Sequence, residues 1–290
     1  MSWRTVIISS SVKLDYQMGY LVVRNEAVTK IHLNEISMVM IESTAVSLTA
    51  ALLVELANQK IKVVFCDHKR NPSSELLPYY GSHDTSLKIR EQIAWSSDIK
   101  AMIWTEIVSQ KIRKQMNLLA ELGKEESSLL KKYIEEIEPG DVTNREGHAA
   151  KVYFNALFGK EFSRGADCTI NAALNYGYSI ILSCFTREIV ANGYLTQIGL
   201  FHDNMFNPFN LASDLMEPFR PLIDRNIIKM KTEVFEKEQK HQLVNVLNSE
   251  VKIGGRTEFV SNAIRIYTKS VFSALRERDI SELSFYGYEL

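Results

Sequence analysis

Three stretches of this chain carry side chains that could do chemistry. The first is Thr143-Asn144-Arg145-Glu146-Gly147-His148-Ala149-Ala150-Lys151-Val152-Tyr153-Phe154, which reads as a helix start. Glu146, Ala149, Ala150, Tyr153 and Leu157 recur at helical spacing and share one face. Glu146 therefore points toward the packed side, where a carboxylate must be compensated by a cation or by backbone donors. Taken alone, Thr143 and Glu146 at i, i+3 favour a capping box. The second stretch is Gly199-Leu200-Phe201-His202-Asp203-Asn204, a loop after a long helix that carries one imidazole. The third is Asn210-Leu211-Ala212-Ser213-Asp214-Leu215-Met216-Glu217-Pro218-Phe219-Arg220-Pro221. Leu211, Leu215, Phe219 and Leu222 form its apolar stripe, and Glu217 points away from it, as a solvated acidic face would. Pro218 and Pro221 weaken a regular helix here and leave a rigid, irregular segment of the kind that often holds a site.

Glu146, His202 and Glu217 together make a set of two carboxylates and one imidazole. Oxygen ligands suit Mg²⁺ or Mn²⁺, and the imidazole tilts the choice toward Mn²⁺. Such an ion polarises a phosphoryl oxygen and positions a nucleophile for in-line attack. Spacing across about 70 residues does not by itself establish that the three converge.

The elements that must position them change character along the chain. Residues 1 to about 70 read as short strands: Val6-Ile7-Ile8, Tyr20-Leu21-Val22-Val23, Ile31-His32-Leu33, Ile36 to Ile41, and Ile61 to Cys66. One helix interrupts them, with Leu48, Ala51, Leu52, Glu55 and Leu56 at helical period and Ser47 as its cap. Asn71-Pro72-Ser73-Ser74 and Tyr80-Gly81-Ser82-His83 are turn chemistry. From Leu87 onward the spacing predicts helices, separated at Ser96-Ser97, Pro139-Gly140, Gly159, Gly193 and Gly254-Gly255. The expected class is α+β in two domains: a β-rich domain over 1–80, a linker over 81–86, and an all-α catalytic domain over 87–290.

Length and composition agree with two domains. The 290 residues are 46% hydrophobic and 24% charged, which excludes a mainly disordered chain. A net charge of −1 excludes a bulk polycation but leaves a local basic patch open. From Lys88 to Lys114 six basic residues outnumber three acidic ones, and Lys111, Arg113 and Lys114 are the expected phosphate contacts of that stretch. Two solvated helix faces with no partner would read the same way. The cysteines at 66, 168 and 184 lie outside metal-finger spacing and fit a reducing compartment, and Cys66 and Cys184, in apolar stretches, fit core packing. No apolar window approaches a bilayer span and no targeting signal is visible, so a cytoplasmic location with no membrane partner is expected.

At these residues the chain closely resembles the CRISPR-associated adaptation integrases, the larger of the two proteins that insert spacers, in their type II-A branch. The resemblance rests on Asn144 to Ala150, on Asn171-Ala172-Ala173-Leu174-Asn175-Tyr176-Gly177-Tyr178, on Gly199 to His202, and most specifically on Ser213 to Pro221. It spans the whole chain. It implies a metal-dependent DNA endonuclease and integrase, using Mg²⁺ or Mn²⁺, with metal ligands at Glu146, His202 and Glu217. Asp214 would stand in support, and His148 would be a further supporting or DNA-contacting residue. Many branches carry aspartate at the position of Glu217. The resemblance further implies a homodimer formed through the β domain. Two such dimers would flank a dimer of a small ferredoxin-like partner in a 4:2 complex, acting with other type II-A adaptation proteins and the effector nuclease in a bacterial cytoplasm. That assembly would hold a spacer fragment and join its 3′-hydroxyls to the CRISPR repeat by transesterification.

Two other readings fit part of the pattern. His202-Asp203, with His148 upstream and Asp224 downstream, resembles HD-type phosphohydrolases, in which Glu146 and Glu217 would be spectators. A non-catalytic DNA-holding scaffold would make the carboxylates purely structural.

Overall fold

The computed structural model describes residues 4–78, 82–231 and 233–287. The first part holds two sheets. Strands β1 (Arg4–Ile8), β5 (Ile36–Ile41), β7 (Lys62–Cys66) and β8 (Pro72–Leu76) form one sheet in the order β1-β5-β7-β8. Its β1–β5 and β5–β7 pairs are parallel and β8 is antiparallel. The second sheet has the order β4-β3-β2-β6, from β2 (Lys13–Gln17), β3 (Tyr20–Arg24), β4 (Val28–His32) and the short β6 (Ser47–Leu48).

All six residues of β5 are buried, because its sheet is covered on both faces. Val39, Ile41 and Val63 pack with Leu14 and Leu21 of the second sheet and with Leu52 and Leu56 of α1 (Ala50–Asn58). Met38, Met40, Val64 and Cys66 point the other way, into the helical core. The β-rich part and the helical part therefore share one apolar core through this sheet.

Some local expectations change. Thr49, not Ser47, caps α1, accepting from the N–H of Leu52, while Ser47 pairs in β6. Pro72 opens the edge strand β8, where its missing N–H disrupts no interior ladder. The strands end at Leu76 and α2 (Thr85–Ile93) starts inside the expected 81–86 linker; Tyr80 and Gly81 lie outside the described residues.

Helices dominate thereafter: α3 (Ser97–Glu121), α4 (Ser127–Glu135), α5 (Arg145–Phe158), α6 (Thr169–Ala191), α7 (Asn210–Met216), α8 (Arg220–Met230), α9 (Lys237–Asn245) and α10 (Val260–Glu277). The helical half is not all-α. Gly254 and Gly255, both at positive φ, turn a hairpin between β9 (Glu250–Ile253) and β10 (Arg256–Phe259). Val251 and Ile253 of that hairpin enter the same core.

The central helix α6 packs very tightly on α8. A Cβ on Gly177 would lie far inside van der Waals contact with Ile223 Cγ2, so glycine is what fits there. The next side chain, Tyr178, reaches Asp224 on α8 at 2.5 Å, and Tyr153 of α5 donates to the same carboxylate at 2.9 Å. The Asn175-Tyr176-Gly177-Tyr178 block is thus the seam that locks α5, α6 and α8 together. Cys66 and Cys184 are buried free thiols, pushed up by burial to about 12 and about 11. No helix of the described residues is long and apolar enough to cross a membrane.

Candidate metal centre

Glu146 sits in the first turn of α5. The cap of that helix is Asn144, in a left-handed conformation, whose side chain accepts from the N–H of Gly147 at 3.2 Å. Asp141 accepts from the N–H groups of Arg145 and Glu146 at 2.7 and 3.0 Å. The expected Thr143–Glu146 capping box is absent, and Thr143 Oγ1 is buried without a hydrogen bond. With the helix start satisfied by Asn144 and Asp141, the Glu146 carboxylate is released from capping duty.

Glu217 follows α7 at the start of a 3-10 turn over Glu217–Phe219. Pro218 and Pro221 sit at the first positions of that turn and of α8, where a missing N–H removes no hydrogen bond. The kink buries Glu217 to 3% exposure, so it is not the solvated face its helical phase implies. Arg220 Nε bonds Glu217 Oε1 at 2.8 Å, and Lys111 Nζ of α3 lies 2.5 Å from Glu217 Oε2. The same Lys111 ammonium bonds Glu146 Oε1. The two carboxylates, far apart in sequence, are thus brought onto one cationic atom.

These contacts set the local electrostatics. Burial pushes the Glu217 carboxyl up, but the Arg220 and Lys111 charges outweigh it and hold it down to about 2. Burial would lower the Lys111 ammonium, and Glu217 and Glu146 overcome that and raise it. Arg220 also lies over the Tyr178 ring, 4.6 Å from its centroid, which ties the site to the α6 seam.

His202 is held from behind. Asp214 is fully buried; its Oδ2 accepts the N–H groups of Leu200 and Phe201 at 2.6 and 3.1 Å. Its Oδ1 accepts the His202 N–H at 3.1 Å and pairs with His202 Nδ1 at 2.5 Å. A carboxylate partner places the proton on Nδ1 and leaves the Nε2 lone pair for a ligand. The Asp214 hydrogen bond raises the His202 pKa, burial opposes it, and the charges of Asp214, Glu217 and Glu146 add to the rise. His202 thus lies within the field of both carboxylates. Gly199 is required by this turn, because a Cβ there would collide with the Asp214 carboxylate and the His202 carbonyl. Trp104 of α3 stacks on Phe201 at 4.5 Å and meets the His202 ring edge-on at 5.7 Å. Gln92, buried on α2, pins the preceding loop by bonding the carbonyls of Leu195 and Ile198 and the N–H of Leu195.

The expected residues are therefore partly assembled. Glu146 and Glu217 share one cation, and Asp214 fixes the imidazole beside them. Among the described residues, no three His, Cys, Asp or Glu side chains form a group able to hold a metal ion as they stand. Lys111 occupies the position between the carboxylates. The donors fit a hard divalent cation in kind, since two carboxylate oxygens already bind a positive charge and an oriented imidazole adjoins them.

Other expectations are corrected. Lys111 and Lys114 are each only 6% exposed, so of the three expected phosphate contacts only Arg113 faces solvent. Lys114 lies over the Tyr286 ring at 4.2 Å, and burial pushes its ammonium down to about 7. Lys88 is balanced by Asp84 and Glu91. The Lys88–Lys114 stretch is not a continuous basic track. His148 is exposed on α5 beside the Tyr133 ring, not behind Glu146. The HD arrangement does not form either: Asp203 is exposed, while Asp224 is taken by Tyr153 and Tyr178.

Lys111 and Arg220 are the site residues whose roles the sequence did not suggest. A signal for Lys111 was present. It follows Ile103 and Ile107 at successive i+4 steps, so it lies on the buried face of α3, where a lysine needs an anionic partner.

The family model described as CRISPR associated protein Cas1 matches residues 5–252. The chain belongs to the Cas1 family. A CRISPR-associated endonuclease Cas1 from Neisseria meningitidis serogroup C (strain 8013) is 34% identical over 261 residues, covering 87% of this chain and 86% of the relative. One from Francisella tularensis subsp. novicida (strain U112) is 24% identical over 303 residues, covering 96% and 94%. Among solved structures, a Cas1 protein from Thermotoga maritima superposes with a TM-score of 0.76 at 17% identity, covering 99% of this chain and all of that one. A casposase bound to integration product gives 0.77 at 17% identity, covering 97% and 92%. These structural likenesses confirm the Cas1 fold, strands first and helices after.

Proposed function

We propose that this chain is a metal-dependent DNA endonuclease and integrase of CRISPR adaptation, joining the 3′-hydroxyls of a captured spacer fragment to the CRISPR repeat. The observation that carries it is the convergence of Glu146 and Glu217 on one cation beside the Asp214-anchored His202, in a member of the Cas1 family. Relatives named endonucleases and a neighbour bound to integration product support the reaction class.

Glu146, Glu217 and His202 Nε2 would hold Mg²⁺ or Mn²⁺. That ion would supply charge stabilisation for a phosphodiester under attack. The chain's own groups do the rest. Asp214 keeps His202 in the tautomer that donates a lone pair. Arg220, braced on Tyr178, keeps Glu217 ionised and aimed. The reaction exchanges one phosphodiester for another, with the DNA 3′-hydroxyl as nucleophile, so neither a protein nucleophile nor a nucleotide cofactor is needed. Transfer of the 3′-oxygen to phosphorus releases the repeat strand's own 3′-oxygen as leaving group.

A homodimer, two of which flank a dimer of a small ferredoxin-like partner in a 4:2 complex, completes the proposal, in a bacterial cytoplasm. Neighbours solved as Cas6-RT-Cas1–Cas2 complexes support a partner of this kind. In the β-rich part, β4 ends its sheet with three exposed residues, which leaves an edge for a second chain.

The test is strand transfer into a supercoiled repeat plasmid by the full chain with its small partner and Mn²⁺. Glu217→Ala abolishes joining, Asp203→Ala does not, and a 3′-dideoxy fragment is not joined. Joining that survives EDTA, or that Asp203→Ala abolishes equally, overturns the proposal.

A further inference from the structure

Lys111 is not a bystander of the carboxylate pair. Its side chain is 7% exposed, rises from the buried face of α3, and ends between Glu146 Oε1 and Glu217 Oε2. Glu217 meets Arg220 through its other oxygen, so the four groups Glu146, Glu217, Lys111 and Arg220 are charge-balanced as they stand. Two carboxylates facing each other in a buried cleft repel and desolvate each other unless a positive charge lies between them. The ammonium meets that need within the chain itself.

We infer that Lys111 is a built-in counter-cation that fills the metal position until a divalent ion displaces it. This rests on the functional reading above. A divalent ion held by the same two carboxylates would need the space between them. An ammonium left between them would lie within a few ångströms of a doubly charged ion, in a poorly screened site. Metal and ammonium therefore exclude one another, and loading requires Lys111 to swing on its four-carbon stem. Glu146 is the more open of the two carboxylates, with 22% of its side chain exposed against 4% for Glu217, so displacement begins at its ion pair. A divalent ion adds two positive charges to a site whose own charges nearly cancel, which suits a polyanionic substrate.

The experiment is Mn²⁺ binding to the full-length chain without DNA, by calorimetry and by the spin-resonance signal of free Mn²⁺, together with thermal melting. The proteins are wild type, Lys111→Met, Lys111→Arg and the Glu146→Gln/Glu217→Gln pair. Lys111→Met removes the competitor and keeps the length, so Mn²⁺ binds about tenfold tighter or more, about 1.4 kcal/mol. Its metal-free melting temperature falls, and Mn²⁺ restores it. Lys111→Arg keeps a competing cation and binds Mn²⁺ no more tightly than wild type; this arm stands even if the methionine variant does not fold. Unchanged or weaker Mn²⁺ binding by Lys111→Met, or equal tightening by Lys111→Arg, overturns the inference while the site reading stands. If the double glutamine variant binds Mn²⁺ as well as wild type, the metal position is elsewhere and both readings fall.

Discussion

Replacing Asp214 by Asn tests the architecture behind His202 without changing side-chain size. Asp214 is fully buried and its two oxygens accept four hydrogen bonds: three from consecutive backbone N–H groups and one from the imidazole. An amide has one oxygen. If that oxygen faces Leu200 and Phe201, the amide NH₂ opposes the His202 N–H and forces the imidazole proton onto Nε2. If it faces His202, the NH₂ opposes the other two N–H groups. The first arrangement leaves one buried N–H without an acceptor and the second leaves two, at about 1–3 kcal/mol each, so Asp214→Asn costs about 1–6 kcal/mol. For a chain of this size that lowers the melting temperature by roughly 3–20 °C. Loss of the oriented tautomer weakens Mn²⁺ binding by about 10–100-fold. Thermal melting and Mn²⁺ titration of the full chain read the two effects separately. A variant that melts within about 2 °C of wild type, or that binds Mn²⁺ equally well, refutes the assignment of Asp214 as the residue that orients the imidazole.

Two further outcomes follow from the α6 seam. Gly177→Ala places a methyl into Ile223 and destabilises by about 1–3 kcal/mol, while Gly177→Ala with Ile223→Ala costs less than the two single changes added; chemical denaturation of the four proteins checks it, and simple additivity would contradict the close contact. Burial holds the Asp224 carboxyl up at about 6, against the hydrogen bonds of Tyr178 and Tyr153. Because its folded value lies above its unfolded one, its contribution is full below about 4 and is lost as pH rises through 6, on the order of 3 kcal/mol. Asp224→Asn, which never ionises, removes that part of the stability–pH slope between pH 4 and 7; an unchanged slope would show that Asp224 is not its source.

The sequence by itself determined the order of elements, strands first and helices after, because β-branched alternation and helical apolar spacing are local properties. It also singled out Glu146, Asp214 and Glu217, through the Asn-Arg-Glu-Gly-His and Asp-Leu-Met-Glu-Pro-Phe-Arg-Pro blocks, and the fold brings Glu146 and Glu217 onto one ammonium. Boundaries were legible where a residue has one local use, as at Ser96 before α3, and misread where several residues compete. Ser47 and Thr49 both cap well, and only pairing of Ser47 with Lys13 decides between them. Thr143, Asn144 and Asp141 compete in the same way at α5. The hairpin at Gly254-Gly255 was missed because two four-residue strands are too short to show a period.

Tertiary structure alone decided with whom the buried charges pair. Along α3, Lys111, Arg113 and Lys114 read as one basic run, yet two of the three point inward, because burial follows from what α3 packs against. Glu217 reads as a surface carboxylate in an ideal helix; the proline-bounded 3-10 turn rotates it into the protein. The partnership of Lys111 with Glu146 and Glu217 spans three separate elements, α3, α5 and the turn after α7. No local pattern encodes it: a charge can enter a low-dielectric interior only where the fold brings its opposite, and that meeting is a property of the packed chain.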